Sequence, residues 1–193
     1  MMELELRFEI SAELYHRLEQ ERDWSPAEQV CDLTLGPTGA TSMQTDGFVV
    51  RLRRTAGNVR MEYKKPQNAD WSAWTEYGTE VGSFSETVKI LKALGLQAGL
   101  VLDRTRRTAR HGHLTLSLDD VRGLGRFLEI EAEVDRAEDE SAAAEIAHER
   151  ELLGLQNHPS ARPYGELLLM RLETEPGFRE KHERQIAEML EPE

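Results

Sequence analysis

Charged and apolar residues alternate in three short segments of this chain: Glu3-Leu4-Glu5-Leu6-Arg7-Phe8, Arg51-Leu52-Arg53 and Glu129-Ile130-Glu131. Successive side chains of a strand point to opposite faces, so each segment puts its charges on one face and its apolar residues on the other. The same parity pairs Glu62 with Lys64, Arg104 with Arg106, and Glu133 with the other two glutamates of its strand. If the apolar faces pack under helices, the charged faces line an interior. Burying unpaired charge costs on the order of several kcal/mol per ion, so opposite signs must pair there or a ligand must neutralise them. Carboxylates on neighbouring strands are hard oxygen donors of the kind Mg²⁺ or Mn²⁺ takes. Arginine adds a planar fork for two phosphate oxygens and lysine a point charge. The five cations Arg51, Arg53, Lys64, Arg104 and Arg106 suit a triphosphate better than a monophosphate.

The elements that position these residues follow from local pattern. Residues 2–10 alternate as a strand, and Ser11 reads as the N-cap of a helix carrying Leu14 and Leu18. Further strands are expected near 28–35, 47–55, 58–65 and 72–81, with turns at Gly36-Pro37, Asp46-Gly47 and Gly57-Asn58. Ser83 opens a helix whose Val88, Leu91 and Leu94 share a side, and Gly95 ends it. Runs at 98–109, 112–119 and 126–135 add three strands, the last two joined by Gly123-Leu124-Gly125. A helix is expected over 138–153, ending at Gly154; residues 164–173 then lead into a last amphipathic helix near 178–190. About eight strands with peripheral helices indicate an α+β protein built on a large sheet or a closed barrel. We expect one domain over 1–173 with a C-terminal helix, 174–193, packed on it or extending from it.

The 193 residues carry a formal charge of −12, which disfavours nonspecific binding to nucleic acid or to an anionic membrane. A local cluster of Arg and Lys can still hold a small anion. Cys31 is the only cysteine, so neither an intrachain disulfide nor a cysteine-based zinc site can form. No basic and apolar leader opens the chain, and no apolar run approaches the ~18 residues of a membrane span. A cytoplasmic protein is expected. Exposed sheet edges and apolar stripes permit a monomer or a homodimer.

Taken together, the motifs resemble the CYTH superfamily of triphosphate tunnel metalloenzymes, which includes class IV adenylate cyclases, thiamine triphosphatases and inorganic triphosphatases. Glu3-Leu-Glu5-Leu-Arg7 resembles the family's ExExK strand and Val50-Arg51-Leu52-Arg53 its LRxR strand. Tyr63-Lys64-Lys65-Pro66 and Arg104-Thr-Arg106 resemble the two lysine and arginine strands that follow. Leu118-Asp119-Asp120-Val121 through Gly123-Leu-Gly125-Arg-Phe-Leu-Glu129-Ile-Glu131 resembles LDxVxxLGxFxEIE, and Arg162-Pro-Tyr164-Gly-Glu-Leu-Leu168 the terminal RSYxELL. The resemblance implies an eight-stranded antiparallel β-barrel, the triphosphate tunnel, with peripheral helices. It implies Glu3, Glu5, Asp119, Glu129 and Glu131 as ligands of Mg²⁺ or Mn²⁺. The catalytic strand would carry Glu3, Glu5 and Arg7. Arg51, Arg53, Lys64, Arg104, Arg106, Arg162 and Tyr164 would bind the substrate, with Glu76 a further acidic strand position. Arg7 stands where the family usually has Lys; it keeps the positive charge but, being effectively always protonated, serves binding rather than proton transfer. Pro163 replaces a serine, so no hydroxyl acts from that position.

The reading that results is metal-dependent hydrolysis of a triphosphate such as tripolyphosphate, ATP or thiamine triphosphate. One alternative is an adenylate cyclase that forms cyclic AMP and pyrophosphate, and another is a noncatalytic polyphosphate- or nucleotide-binding module. His111-Gly-His113 lacks a third ligand and reads as surface, and His148-Glu149 lacks the second histidine of a zinc-protease helix. Trp24, Trp71 and Trp74 are candidates for stacking on a base or for covering the barrel rim.

Overall fold

In the computed structural model, which describes residues 2–69, 72–136 and 138–191, the alternating segments become strands of a closed eight-stranded antiparallel barrel. The strand order is β1-β5-β4-β3-β2-β6-β7-β8. The strands are β1 (Met2–Ile10), β2 (Glu28–Gly36), β3 (Val49–Thr55), β4 (Asn58–Pro66), β5 (Ala73–Glu80), β6 (Gln97–His111), β7 (Leu114–Val121) and β8 (Gly125–Val134). The helices are α1 (Ala12–Glu21), a single turn α2 (Ser42–Thr45), α3 (Phe84–Ala93), α4 (Glu140–Leu152), α5 (Tyr164–Thr174) and α6 (Pro176–Leu190). The chain divides into two compact units. The first is Met1–Gln29, Pro66–Thr75 and Arg104–Pro163; the second is Val30–Lys65, Glu76–Asp103 and Tyr164–Glu193.

Local signals set the helix boundaries. Ser11, Ser83 and Asp139 each accept a hydrogen bond from the backbone N–H three residues on, closing the first turns of α1, α3 and α4. Gly95 and Gly154 follow α3 and α4 with φ of 93° and 72°, left-handed values that a side chain would strain. Two features depart from expectation. Residues 164–174 form a full helix, and the last helix starts at Pro176, whose missing N–H is no loss in a first turn.

In the first unit, Leu4, Phe8, Leu116, Leu118, Leu128 and Ile130 of β1, β7 and β8 pack against Tyr15 and Leu18 of α1 and Ile146 of α4. In the second unit, Leu33, Leu35 and Leu52 of β2 and β3 pack against Phe84, Val88 and Leu91 of α3 and Met189 of α6. In both, the apolar parity faces helices, which leaves the charged parity on the inner face of a closed barrel. Among the described residues, no helix is long and apolar enough to cross a membrane.

Trp24 donates its indole N–H to the Leu18 carbonyl at 2.7 Å and packs against the first core, so it is a structural residue. Trp74 is buried opposite Glu3, and Trp71 lies outside the described residues.

Candidate active site

In the first unit, the β1–β8 register sets Arg7 opposite Glu129 and Glu5 opposite Glu131. The β7–β8 register sets Ser117 opposite Glu129, and the β6–β7 register sets Arg106 opposite Asp119. Directly opposed residues share a face, so strand pairing alone gathers these side chains. Asp119 is 0% exposed and Glu129 and Arg104 are each 2% exposed, so water does little to solvate their charges and pairing must.

Arg106 forks onto Asp119 through Nε to Oδ1 at 2.7 Å and Nη2 to Oδ2 at 2.6 Å, and the same Nη2 donates to Glu129. Arg104 Nε lies 3.5 Å from Asp119 Oδ2. Arg7 donates from Nε to Glu129 Oε1 at 2.6 Å, from Nη2 to Glu5, and from Nη1 to the Arg162 carbonyl at 3.3 Å. A cavity of about 100 Å³ lies beside Glu5 and Arg7, bounded also by Ser72, Ser160 and Pro163.

These contacts drive two neighbouring carboxyls in opposite directions. Burial alone would raise the Glu129 pKa, but Arg7, Arg106 and Arg104 outweigh it and hold the group well below the usual carboxylate range. Glu131 is pushed up to about 8 by burial and by Glu129, Glu5 and Glu3, which Arg106 only partly offsets. Glu3 therefore belongs electrostatically to the same cluster.

The linkage sign for Glu131 is set by a folded pKa of about 8 against an ordinary value of 4.5. The folded protein holds the proton longer than the unfolded chain, so the metal-free protein loses stability as pH rises through that window. Glu131→Gln removes this loss. Its melting temperature should match the wild type near pH 4.5 and exceed it by about 3–6 °C near pH 8, given a partly exposed group. Parallel melting curves at all pH values would show that Glu131 carries no such burden.

In the second unit, Arg53 forks onto the buried Asp32 through Nε at 2.9 Å and Nη2 at 3.1 Å, and Arg51 Nη1 lies 3.9 Å from the same carboxylate. Arg51 Nε donates to Glu62 at 2.6 Å, and Arg60 Nε donates to the other oxygen of Glu62 at 3.1 Å. Lys64 pairs with Glu76, whose second oxygen is 3.8 Å from Arg51. Burial would raise the Glu62 pKa, yet Arg51 and Arg53 lower it to about 2.

The expected residues thus fall into two sets. Glu3, Glu5, Arg7, Arg104, Arg106, Asp119, Glu129 and Glu131 form one within the first unit; Arg51, Arg53, Lys64 and Glu76 form the other within the second. Arg162 is exposed and meets Arg7 through its backbone carbonyl, and Tyr164 is the buried first residue of α5. Three residues escaped sequence reading as site members. Asp32 is a lone acid in Val30-Cys31-Asp32-Leu33, and only its register with Arg53 reveals its role. Glu62 shows the right parity but reads as a mere neighbour of Lys64. The hydroxyl of Ser117, 1% exposed, is buried without a hydrogen-bond partner beside Glu129, and nothing in sequence marks it. Away from this face, the buried Glu149 of α4 accepts from Arg22 and from His111 Nδ1, so His111 has a structural partner.

Among the described residues, no three acidic, histidine or cysteine side chains already stand as a metal site; Glu5, Asp119 and Glu129 are held by guanidinium groups instead. The donor set nevertheless fits a hard divalent cation. Its donors are all oxygens, Ser117 Oγ lacks a partner, and Glu131 is crowded enough by other carboxyls to keep a proton that a metal would replace.

These features define a class: an antiparallel β-barrel with helices over its apolar face and paired, titratable charges on its inner one. The chain belongs to the CYTH family, whose domain model matches residues 1–164. CYTH proteins depend on metal and bind triphosphate substrates, and members are typically triphosphatases or adenylate cyclases. No curated protein matches the sequence significantly. Among solved structures, a conserved hypothetical protein of Pyrococcus furiosus superposes with a TM-score of 0.74 at 22% identity, covering 86% of this chain and 99% of its own. A Vibrio parahaemolyticus protein described as a candidate adenylate cyclase gives 0.69 at 17% identity, covering 87% and 98%. A candidate adenylyl cyclase from Hippeastrum, described as having a dominant triphosphatase activity, gives 0.61 at 15% identity, covering 84% and 91%. At such identities the likeness speaks for the fold.

Proposed function

We propose that this CYTH protein hydrolyses the phosphoanhydride bond of an inorganic or organic triphosphate, with Mg²⁺ or Mn²⁺, in the cytoplasm. The observation that carries the reading is the set of carboxylates gathered with buried arginines on one face of β1, β6, β7 and β8. A simple anion-binding module needs no such carboxylates; a metal-dependent enzyme does. Glu3, Glu5, Asp119, Glu129 and Glu131 would hold the metal, directly or through water. When bound, the metal neutralises charge on the phosphoryl oxygens and lowers the pKa of water.

The chain's own residues do the positioning. Arg51, Arg53, Lys64, Arg104 and Arg106 are assigned to the phosphates: each would exchange its carboxylate partner for a phosphate oxygen and hold developing charge. Arg106 has two forked donors suited to adjacent phosphate oxygens, whereas Lys64 gives a single point charge. Arg162 and Tyr164 are assigned to the substrate as well. Arg7 orients Glu5 and Glu129 and transfers no proton.

Cyclisation of ATP would use the same clamp with a different phosphorus facing the nucleophile, so the product decides between the two. Phosphorus NMR after incubation with tripolyphosphate, ATP or thiamine triphosphate and Mg²⁺ or Mn²⁺ should show orthophosphate appearing from at least one. Pyrophosphate with cyclic AMP from ATP would instead establish the cyclase, and no turnover of any of them would leave a binding module.

A further inference from the structure

Arg7 does more than balance one carboxylate. Its Nε donates to Glu129 at 2.6 Å, one Nη to Glu5, and the other Nη to the Arg162 carbonyl at 3.3 Å, so every guanidinium nitrogen faces an oxygen. Arg7 is 8% exposed and bridges two carboxylates, Glu5 two residues before it on β1 and Glu129 directly opposite it on β8. Three oxygens from two strands and a backbone carbonyl are what a divalent cation with a few waters would take in the same place. The local charge agrees. Glu3, Glu5, Asp119, Glu129 and Glu131 supply five carboxyls against the three guanidiniums of Arg7, Arg104 and Arg106, so acidic groups outnumber basic ones in the cluster. The unpartnered hydroxyl of Ser117 stands opposite Glu129 on β7, on the side of Glu129 away from β1. That places an open oxygen donor where Arg7 is not.

We propose that Arg7 occupies one cation position of the cluster permanently, so that the protein takes a single divalent metal there, and that removing the guanidinium opens a second metal position between Glu5 and Glu129. This rests on the metal-dependent reading above and deepens it: the chain replaces one exchangeable cation by a covalently held one. A lysine would not do the same, since one ammonium cannot span both carboxylates and the carbonyl as a fork does.

The test counts bound Mn²⁺ by electron paramagnetic resonance in the absence of any phosphate, for the wild type and for Arg7→Met, with circular dichroism confirming that both fold. The expected result is one tightly bound Mn²⁺ per wild-type chain and two in Arg7→Met. Equal counts of one or more in both proteins overturn the role of Arg7 and leave the metal-dependent reading standing. No bound Mn²⁺ in either removes that reading together with this one. Should Arg7→Met not fold, the wild-type count decides: one Mn²⁺ supports the assignment, two with Arg7 in place overturn it, and none removes the metal reading with it.

Discussion

Glu129→Gln should reduce triphosphate turnover by at least ~10³-fold while leaving a folded barrel. Losing one group that stabilises developing charge costs about 10²–10³-fold in many enzymes, and Glu129 stands behind more than one. Its two oxygens accept from Arg7 and from Arg106, and it is among the proposed metal ligands. Glutamine keeps the shape but turns one acceptor into a donor, so either Arg7 or Arg106 meets an N–H instead of an oxygen. The charge that remains on the two arginines also repels a divalent cation. Steady-state kinetics with varied Mn²⁺ should show a fall in kcat that high metal does not restore. A variant with full kcat would place the chemistry on other residues.

The second large effect concerns stability. Arg106→Met should lower the melting temperature by about 6–20 °C, because Asp119 is 0% exposed and would lose both bonds of its fork. Removing one partner of a buried ion pair costs about 3–5 kcal/mol, and each kcal/mol is about 2–4 °C in a chain of this size. Arg104, 3.5 Å away, offsets only part of that loss. Tripolyphosphate should also protect the variant against heat less than it protects the wild type, since the fork proposed to bind phosphate is gone. Differential scanning calorimetry with and without the ligand measures both. An unchanged melting temperature would mean that Asp119 finds another partner.

The sequence announces the strands and the charged parity because a period of two is visible in a few residues. Leu4, Leu52 and Ile130 alternate with Glu3, Glu5, Arg51, Arg53, Glu129 and Glu131, and the structure puts the former under helices and the latter on the opposite face. Helix limits at Ser11, Ser83, Gly95 and Gly154 are equally legible, since caps are local. The helical nature of residues 164–174 is less so, because Pro163 and Pro176 at its ends suggest an irregular connection. Pairing is a matter of register, which no single segment contains. Asp32 is recognisable as a partner of Arg53 only once β2 and β3 lie side by side, and Ser117 only once β7 lies against Glu129. Nor could alternation reveal that Glu129 and Glu131, two residues apart on one strand, differ so much in proton affinity; the arginines near one and the carboxyls near the other decide that.

In the second unit, Arg51, Arg53 and Lys64 are each engaged by a carboxylate, Glu62, Asp32 and Glu76 in turn. An anion that docks on these cations must therefore outcompete resident negative charge. Orthophosphate, with at most about two charges at neutral pH, gains little by displacing one carboxylate and cannot reach several together. A triphosphate can displace several in one event, and the repulsion it relieves within itself adds to the exchange. Under the proposed function these resident ion pairs would act as a charge threshold: they would exclude small abundant anions, and they would re-form once the chain of phosphates is cut, speeding the departure of the products.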